Sequence, residues 1–232
     1  MKLYGVGVGP GDPDWLTMKA VHVIQEADII MTPISNQDKQ SIALSIVEKY
    51  ITNQKIHRVI FPMTSDPIRL QVAWEEARND LAQFLMEGKT VAFITLGDPL
   101  LYSTFIYLKH SIQEQLSNLS IEVVPGIPSF VALSAMAQIP IAERDENLVV
   151  IPVIRSLDEV KKAIELHDNI ILMKINKDYP AIVELLDEMQ LLDCCWVGQR
   201  IGMEDSIITN QPKELLNGKL DYLTTMMIKK KR

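Results

Sequence analysis

The chain has 232 residues and a mass of 26.3 kDa, enough for one large domain or two modest ones. With 47% hydrophobic and 23% charged residues it is built like a globular protein, which excludes a disordered chain, a collagen-like chain or a disulfide scaffold. Lys plus Arg 23 against Asp plus Glu 30 leaves a net charge of −7; that is a poor basis for nucleic-acid binding, which needs a basic face, but no bar to an anionic ligand in a local basic cleft.

In chain order, Lys2–Val8 is a short apolar run ending in glycines and reads as a buried strand. Leu16–Ala27 carries apolar residues at Leu16, Ala20, Val23, Ile24 and Ala27, a helical stripe. Asp28–Met31 reads as a strand stopped by Thr32-Pro33, Gln40–Ile51 as a helix, and His57–Phe61 as a strand stopped by Pro62. Ile68–Glu87 is a long helix with Gly88 as its C′ residue. Thr90–Leu96, Leu101–Gln115 and Ile121–Val124 follow as strand, helix and strand. Strands alternating with helices at this spacing predict a mostly parallel sheet with flanking helices.

Past residue 126 the pattern changes. Ser129–Gln138 is a small-residue helix, Leu148–Val153 and Asn169–Met173 are strands around a helix at Leu157–Leu166, and Tyr179–Met189 is a further helix. Cys194–Arg200, Asp205–Thr209 and Tyr222–Ile228 read as late strands, and their short connections favour antiparallel pairing. The expectation is an α/β protein with a first domain over 1–125 and a second, mixed-sheet α/β domain over 126–232.

Several chemistries lose support. Cys194 and Cys195 are adjacent, the wrong spacing for a CxxC redox pair, and read as reduced core thiols. His22, His57, His110 and His167 are scattered, so no protein-bound metal is expected. Glycines after Met1-Lys2 break any signal-peptide core and no apolar run reaches bilayer length, so a cytoplasmic protein with no membrane partner is expected. The basic tail Lys229–Arg232 reads as a solvated end rather than a nucleic-acid patch.

Three strand ends carry glycine-rich text: Gly9-Pro10-Gly11-Asp12-Pro13, Gly97-Asp98-Pro99 and Pro125-Gly126. In parallel sheets ligands bind beyond the carboxyl ends of strands. The first loop is not a dinucleotide fingerprint, because GxGxxG from Gly5 meets Pro10 and from Gly7 meets Asp12. Pro10 and Pro13 also lack the N–H groups that hold a pyrophosphate, and Asp12 and Asp14 would repel it. The plain alternative is a strand-to-helix loop with Asp14 or Thr17 as N-cap. In the second loop Asp98 either caps or faces a cationic or protic ligand.

With GVGPGDP at 7–13, GDP at 97–99, VVPGIPS at 123–129, LMK at 172–174 and GQRIGMEDSI at 198–207, the chain resembles the tetrapyrrole (uroporphyrinogen/precorrin) methyltransferases over essentially its whole length. The stretch TLGDPLLYSTFIYL at 95–108 is most similar to the branch that methylates C20 of precorrin-2 or its cobalt complex. The resemblance implies the two-domain fold of that family, with the active site in an interdomain cleft. It implies S-adenosyl-L-methionine as cofactor, S-adenosyl-L-homocysteine as product, and a homodimer acting on a polycarboxylate tetrapyrrole, cobalt-bound or metal-free. Carried over by position, the cofactor residues would be Pro10, Leu96, Gly97, Asp98, Leu101, Pro128, Ser129, Met173, Gly202 and Thr225.

Methyl transfer from a sulfonium needs positioning and exclusion of water more than a covalent catalyst, and no GxSxG or Cys/His pairing is present. The acceptor carbon must lose a proton after transfer. Asp98 is the candidate to assist as base or through water, and Tyr102 the candidate to orient substrate. Arg69, Lys109, Arg144 and Arg155 are candidates to meet substrate carboxylates.

Overall fold

The computed structural model describes residues 1–36, 40–62, 64 and 66–230. Contacts divide the chain into two compact units, Met1–Pro128 and Ser129–Arg232. In the first, β1 (Lys2–Gly7), α1 (Met18–Glu26), β2 (Ile29–Ile34), α2 (Ile42–Val47), β3 (Lys55–Ile60), α3 (Pro67–Met86), β4 (Thr90–Thr95), α4 (Phe105–Gln115) and β5 (Ser120–Val124) alternate along the chain. The strands lie in the order β3-β2-β4-β1-β5, every neighbouring pair parallel.

An all-parallel sheet is buried on both faces, and the period-two alternation of the strands assigns those faces. Leu3, Met31, Val91 and Phe93 pack with Leu81, Leu85, Phe105 and Leu108 from α3 and α4. Tyr4, Val6, Ile30 and Ile94 pack with Ala20, Ile24 and Ile46 from α1 and α2. Gly5 belongs to this packing rather than to a ligand, because a Cβ there would overlap the ring of Phe105. Helix α3 stops where the sequence predicts. Gly88 takes φ +79°, its N–H donates to the Leu85 carbonyl (3.0 Å), and the Lys89 N–H donates to that of Phe84 (3.1 Å). These two bonds form a Schellman cap.

Among the boundaries that differ from the sequence reading, two have a clear physical cause. Strand β2 continues through Thr32-Pro33 to Ile34. Its pairing with β4 ends at Met31, while its pairing with β3 runs on to Ile34. The Ile34 carbonyl accepts from Phe61 on the β3 side, so by alternation Pro33 turns to the side where β4 has already stopped, and its missing N–H leaves no gap in the ladder. Helix α4 begins at Phe105, not Leu101. Tyr102 holds a left-handed φ of +53°, which an α-helix cannot contain.

The second unit carries α5 (Ser129–Ala137), β6 (Leu148–Ile151), α6 (Leu157–Leu166), β7 (Asn169–Met173), α7 (Tyr179–Glu188), β8 (Cys195–Gln199), β9 (Ile207–Thr209) and β10 (Thr224–Lys229). The sheet order is β6-β7-β10-β8-β9. Only β6–β7 is parallel; β10 enters antiparallel to both β7 and β8, and β8 to β9, which makes the sheet mixed as the short connections predict. Val160, Ile164, Leu172, Tyr179, Ile182, Leu186, Val197 and Met226 form its core. The fully buried Tyr179 donates its hydroxyl to the Pro212 carbonyl (2.8 Å), and burial pushes its pKa up. Both cysteines are buried and free, and burial pushes the Cys195 thiol up to about 12, so it carries no thiolate at neutral pH. No helix among the described residues is long and apolar enough to cross a membrane.

The basic tail is not simply solvated. Because β10 is an interior strand that runs through Lys229, that side chain is only 15% exposed and its ammonium sits 3.1 Å from Glu143 and 3.0 Å from Glu146. Lys230 donates to the Ile164 carbonyl. Lys231 and Arg232 fall outside the described residues. The Lys229 ammonium, the Asn169 amide and the Glu143 N–H hold the Glu146 carboxyl at about 2, against 4.5 unperturbed. A carboxyl with a lowered folded-state pKa stabilises fully above the unfolded value and loses that contribution as pH falls through the folded one. Glu146→Gln should therefore melt below wild type near neutral pH, and the gap should close between about pH 4.5 and about pH 2. Thermal unfolding followed by circular dichroism across that range checks this.

Candidate active site

The three glycine-bearing loops leave β4, β1 and β5, which are adjacent in the sheet, so the topology alone brings them to one edge. Their contact is backbone on backbone. The Val8 N–H donates to Thr95 (3.0 Å), the Gly97 N–H to the Gly9 carbonyl (2.9 Å), and the Gly9 N–H to the Gly97 carbonyl (3.3 Å). Gly9 and Gly97 reach this bridge at φ +74° and +66°, conformations that glycine adopts at no steric cost. Gly7 and Gly126 are there for a different reason. A Cβ on Gly7 would lie 2.6 Å from both the Gly126 nitrogen and the Gly97 oxygen, and a Cβ on Gly126 would fall on that same Gly97 oxygen.

Asp98 fastens the cluster. Its Oδ1 accepts the Leu100 N–H at 2.8 Å, closing a turn within its own loop, and its Oδ2 accepts the Gly126 N–H at 3.1 Å. One carboxylate thus ties the exit of β4 to the exit of β5. The far end of the same loop is pinned by a pair of buried hydroxyls, Thr95 and Ser103, 3.1 Å apart, with Ser103 also accepting the Phe105 N–H (3.2 Å). Between these anchors Tyr102 stands 46% exposed, in a loop rather than on a helix, on a backbone conformation that costs about 1–2 kcal/mol for a residue with a Cβ. In the first loop Thr17, not Asp14, caps α1 by accepting the Ala20 N–H (3.1 Å), while Asp14 pairs with Lys49 (2.8 Å). Pro10 is buried between the glycines.

In the second unit, Thr225 on β10 sits in register with Met173 on β7 and Gly198 on β8, and its hydroxyl lies 3.3 Å from that of Ser129 at the start of α5. Gly202, at φ +81°, is in the turn between β8 and β9. The structure therefore assembles Pro10, Leu96, Gly97, Asp98, Leu101 and Pro128 around the first sheet edge and Ser129, Met173 and Thr225 around the second. Two cations that the sequence reading did not single out also stand at that second edge, Lys174 (φ +57°) and Arg200 (φ +50°). Arg200 is held by Asp205 (2.7 Å) and Asp221 (3.6 Å), which raises its pKa and lowers that of Asp205. Among the basic candidates, Arg69 pairs with Asp66 (3.6 Å) and Lys109 bonds Gln113 (3.1 Å). Among the described residues no cluster of three or more His, Cys, Asp or Glu could hold a metal.

A doubly flanked parallel sheet with glycine loops at one edge is followed along the chain by a mixed-sheet unit. The family model described as Tetrapyrrole (Corrin/Porphyrin) Methylases matches residues 2–215, and the chain belongs to that family of methyltransferases. It is 33% identical to the cobalt-precorrin-2 C(20)-methyltransferase of Salmonella typhimurium, over 99% of this chain and 96% of that one. It is 42% identical to the "Probable cobalt-precorrin-2 C(20)-methyltransferase" of Methanocaldococcus jannaschii, over 75% of this chain and 72% of that one. A solved cobalt precorrin-4 methyltransferase shares the fold at TM-score 0.73 and 20% identity, covering 98% of this chain and 94% of its own.

The contact of three backbones makes a sharp expectation. Gly126→Ala should lower stability by about 1–3 kcal/mol, because the methyl meets a carbonyl that cannot move without its neighbours. Gly88→Ala has nothing within 4 Å and should cost only the left-handed term of about 1–2 kcal/mol. Cofactor affinity should fall only in the former, read by denaturant melts and calorimetric titration.

Proposed function

We propose that this chain methylates C20 of cobalt-precorrin-2 with S-adenosyl-L-methionine as methyl donor and S-adenosyl-L-homocysteine as product. The observation that carries the reading is the match to the Salmonella C(20)-methyltransferase across nearly the full length of both chains. The loop chemistry supports the donor. Residues 7–17, 95–104 and 123–129 contain no Lys or Arg but do contain Asp12 and Asp98, besides Asp14, which Lys49 neutralises; carboxylates and backbone carbonyls in this setting suit a cationic sulfonium better than a phosphate. When bound, S-adenosyl-L-methionine supplies an electrophilic methyl group whose departure leaves a neutral sulfide.

Pro10, Leu96, Gly97, Asp98, Leu101, Pro128, Ser129, Met173, Gly202 and Thr225 are the residues that would hold the cofactor. The rigid loops orient the methyl group toward the acceptor and exclude water. As the new carbon–carbon bond forms, C20 gives up its proton, which we assign to Asp98, directly or through water. Each Asp98 oxygen accepts one N–H and keeps a further lone pair for this. The Tyr102 hydroxyl orients the tetrapyrrole. The same reading has a homodimer acting in the cytoplasm on a small molecule, with no nucleic-acid partner.

Incubation with labelled S-adenosyl-L-methionine and either cobalt-precorrin-2 or metal-free precorrin-2 tests the assignment. We expect one methyl added per macrocycle, placed at C20 by NMR, and faster with the cobalt substrate. Label at another ring carbon, or none, refutes it. Asp98→Asn should lower kcat by about a hundredfold or more, a larger factor than any loss of S-adenosyl-L-homocysteine affinity. Unchanged kcat with a lowered melting temperature would leave Asp98 as a loop fastener only.

A further inference from the structure

The carboxyl edge of the second sheet presents two cations on strained backbone, and they are treated differently. Arg200 is neutralised by Asp205 and Asp221. Lys174, one residue past the end of β7, has no carboxylate partner among the described residues. Its ammonium lies over the ring of Tyr222, 5.6 Å from the centroid, and that ring is 41% exposed. Lys174 is half-buried, and its left-handed φ of +57° costs about 1–2 kcal/mol that glycine at the same place would avoid. A cation kept at such a position, aligned by an aromatic face and left without a counter-charge, is arranged to take an anion from outside the chain.

We propose that Lys174, held by Tyr222, is a carboxylate-binding residue that takes one of the acidic side chains of the tetrapyrrole acceptor. This rests on the methyltransferase reading above and adds a specificity residue to it. The neighbouring chain fits the role. The Ile175 N–H donates to the Thr224 carbonyl (3.4 Å), fixing the residue after Lys174 to β10. A charge-assisted hydrogen bond from a lysine requires no fixed fork, so a flexible acetate or propionate arm is a fitting partner.

Equilibrium binding of cobalt-precorrin-2 and of S-adenosyl-L-homocysteine, each measured separately on the full chain, tests this alongside turnover. Lys174→Met should raise the tetrapyrrole Kd and KM by about tenfold or more, leave S-adenosyl-L-homocysteine affinity within about twofold, and flatten the salt dependence of tetrapyrrole binding. Lys174→Arg should recover part of the affinity. Lys174→Gly should lose tetrapyrrole affinity as Lys174→Met does, yet melt no lower than wild type, because it relieves the left-handed backbone. The proposal is overturned by unchanged tetrapyrrole affinity in Lys174→Met, by a loss confined to S-adenosyl-L-homocysteine, or by destabilisation of Lys174→Gly, which would mark the side chain as structural. Tetrapyrrole binding that depends on Lys174 without any methyl transfer would refute the methyltransferase reading while supporting the subsite; no tetrapyrrole binding by wild type would refute both.

Discussion

The first unit is organised around one carbonyl oxygen, that of Gly97. It accepts from Gly9, and it occupies the space that side chains on Gly7 and Gly126 would need. Three consecutive neighbours in the sheet, β4, β1 and β5, can end this close together because Gly7 and Gly126 carry no Cβ and Gly97 takes a left-handed φ of +66°. A side chain at Gly7 or Gly126 would push the strand exits apart and open the gap that Asp98 spans. The motif spacing in the sequence is therefore a packing requirement first. Its consequence for chemistry is a sheet edge whose polar groups are backbone groups in fixed positions.

That fixity suits a group transfer that needs no covalent enzyme intermediate. Asp98 spends one hydrogen bond on its own turn and one on Gly126, so its carboxylate is already oriented before any ligand arrives. The Thr95–Ser103 pair does the same at the other end of the loop. What lies between, Pro99 to Tyr102, is a short span anchored at both ends, and the left-handed Tyr102 is where the residual strain collects. Positioning of this kind lowers the entropy lost on reaching the reactive geometry.

Most of the architecture was legible because it is written in periodicities. The helix from Leu157 to Leu166 and the strand from Asn169 to Met173 match the structure residue for residue, and Gly88 ends its helix by the cap its position implies. The misreadings came where local rules were overridden by neighbours. Pro33 looked like a strand end, but a proline is silent on the side of a ladder that has already stopped. Leu101–Thr104 looked helical, but one backbone torsion at Tyr102 delays the helix. At the site, glycine and proline marked the loops, whereas partnerships did not show. Nothing in the text said that Asp98 reaches Gly126, that Ser103 reaches Thr95, or that Arg200 would be matched by two carboxylates while Lys174 would not.

The net charge of −7 takes on a different meaning once the partners are known. Lys2 and Lys19 share Glu122, Lys49 meets Asp14, Lys213 meets Asp187, and Lys229 is held between two glutamates. An excess of carboxylate lets several of the cations be matched internally, so the net charge alone says little about where an unmatched cation stands. Selectivity for an anionic partner does not require a basic surface under those conditions. It requires cations placed at the right edge, in an acidic remainder that discourages anions from binding elsewhere.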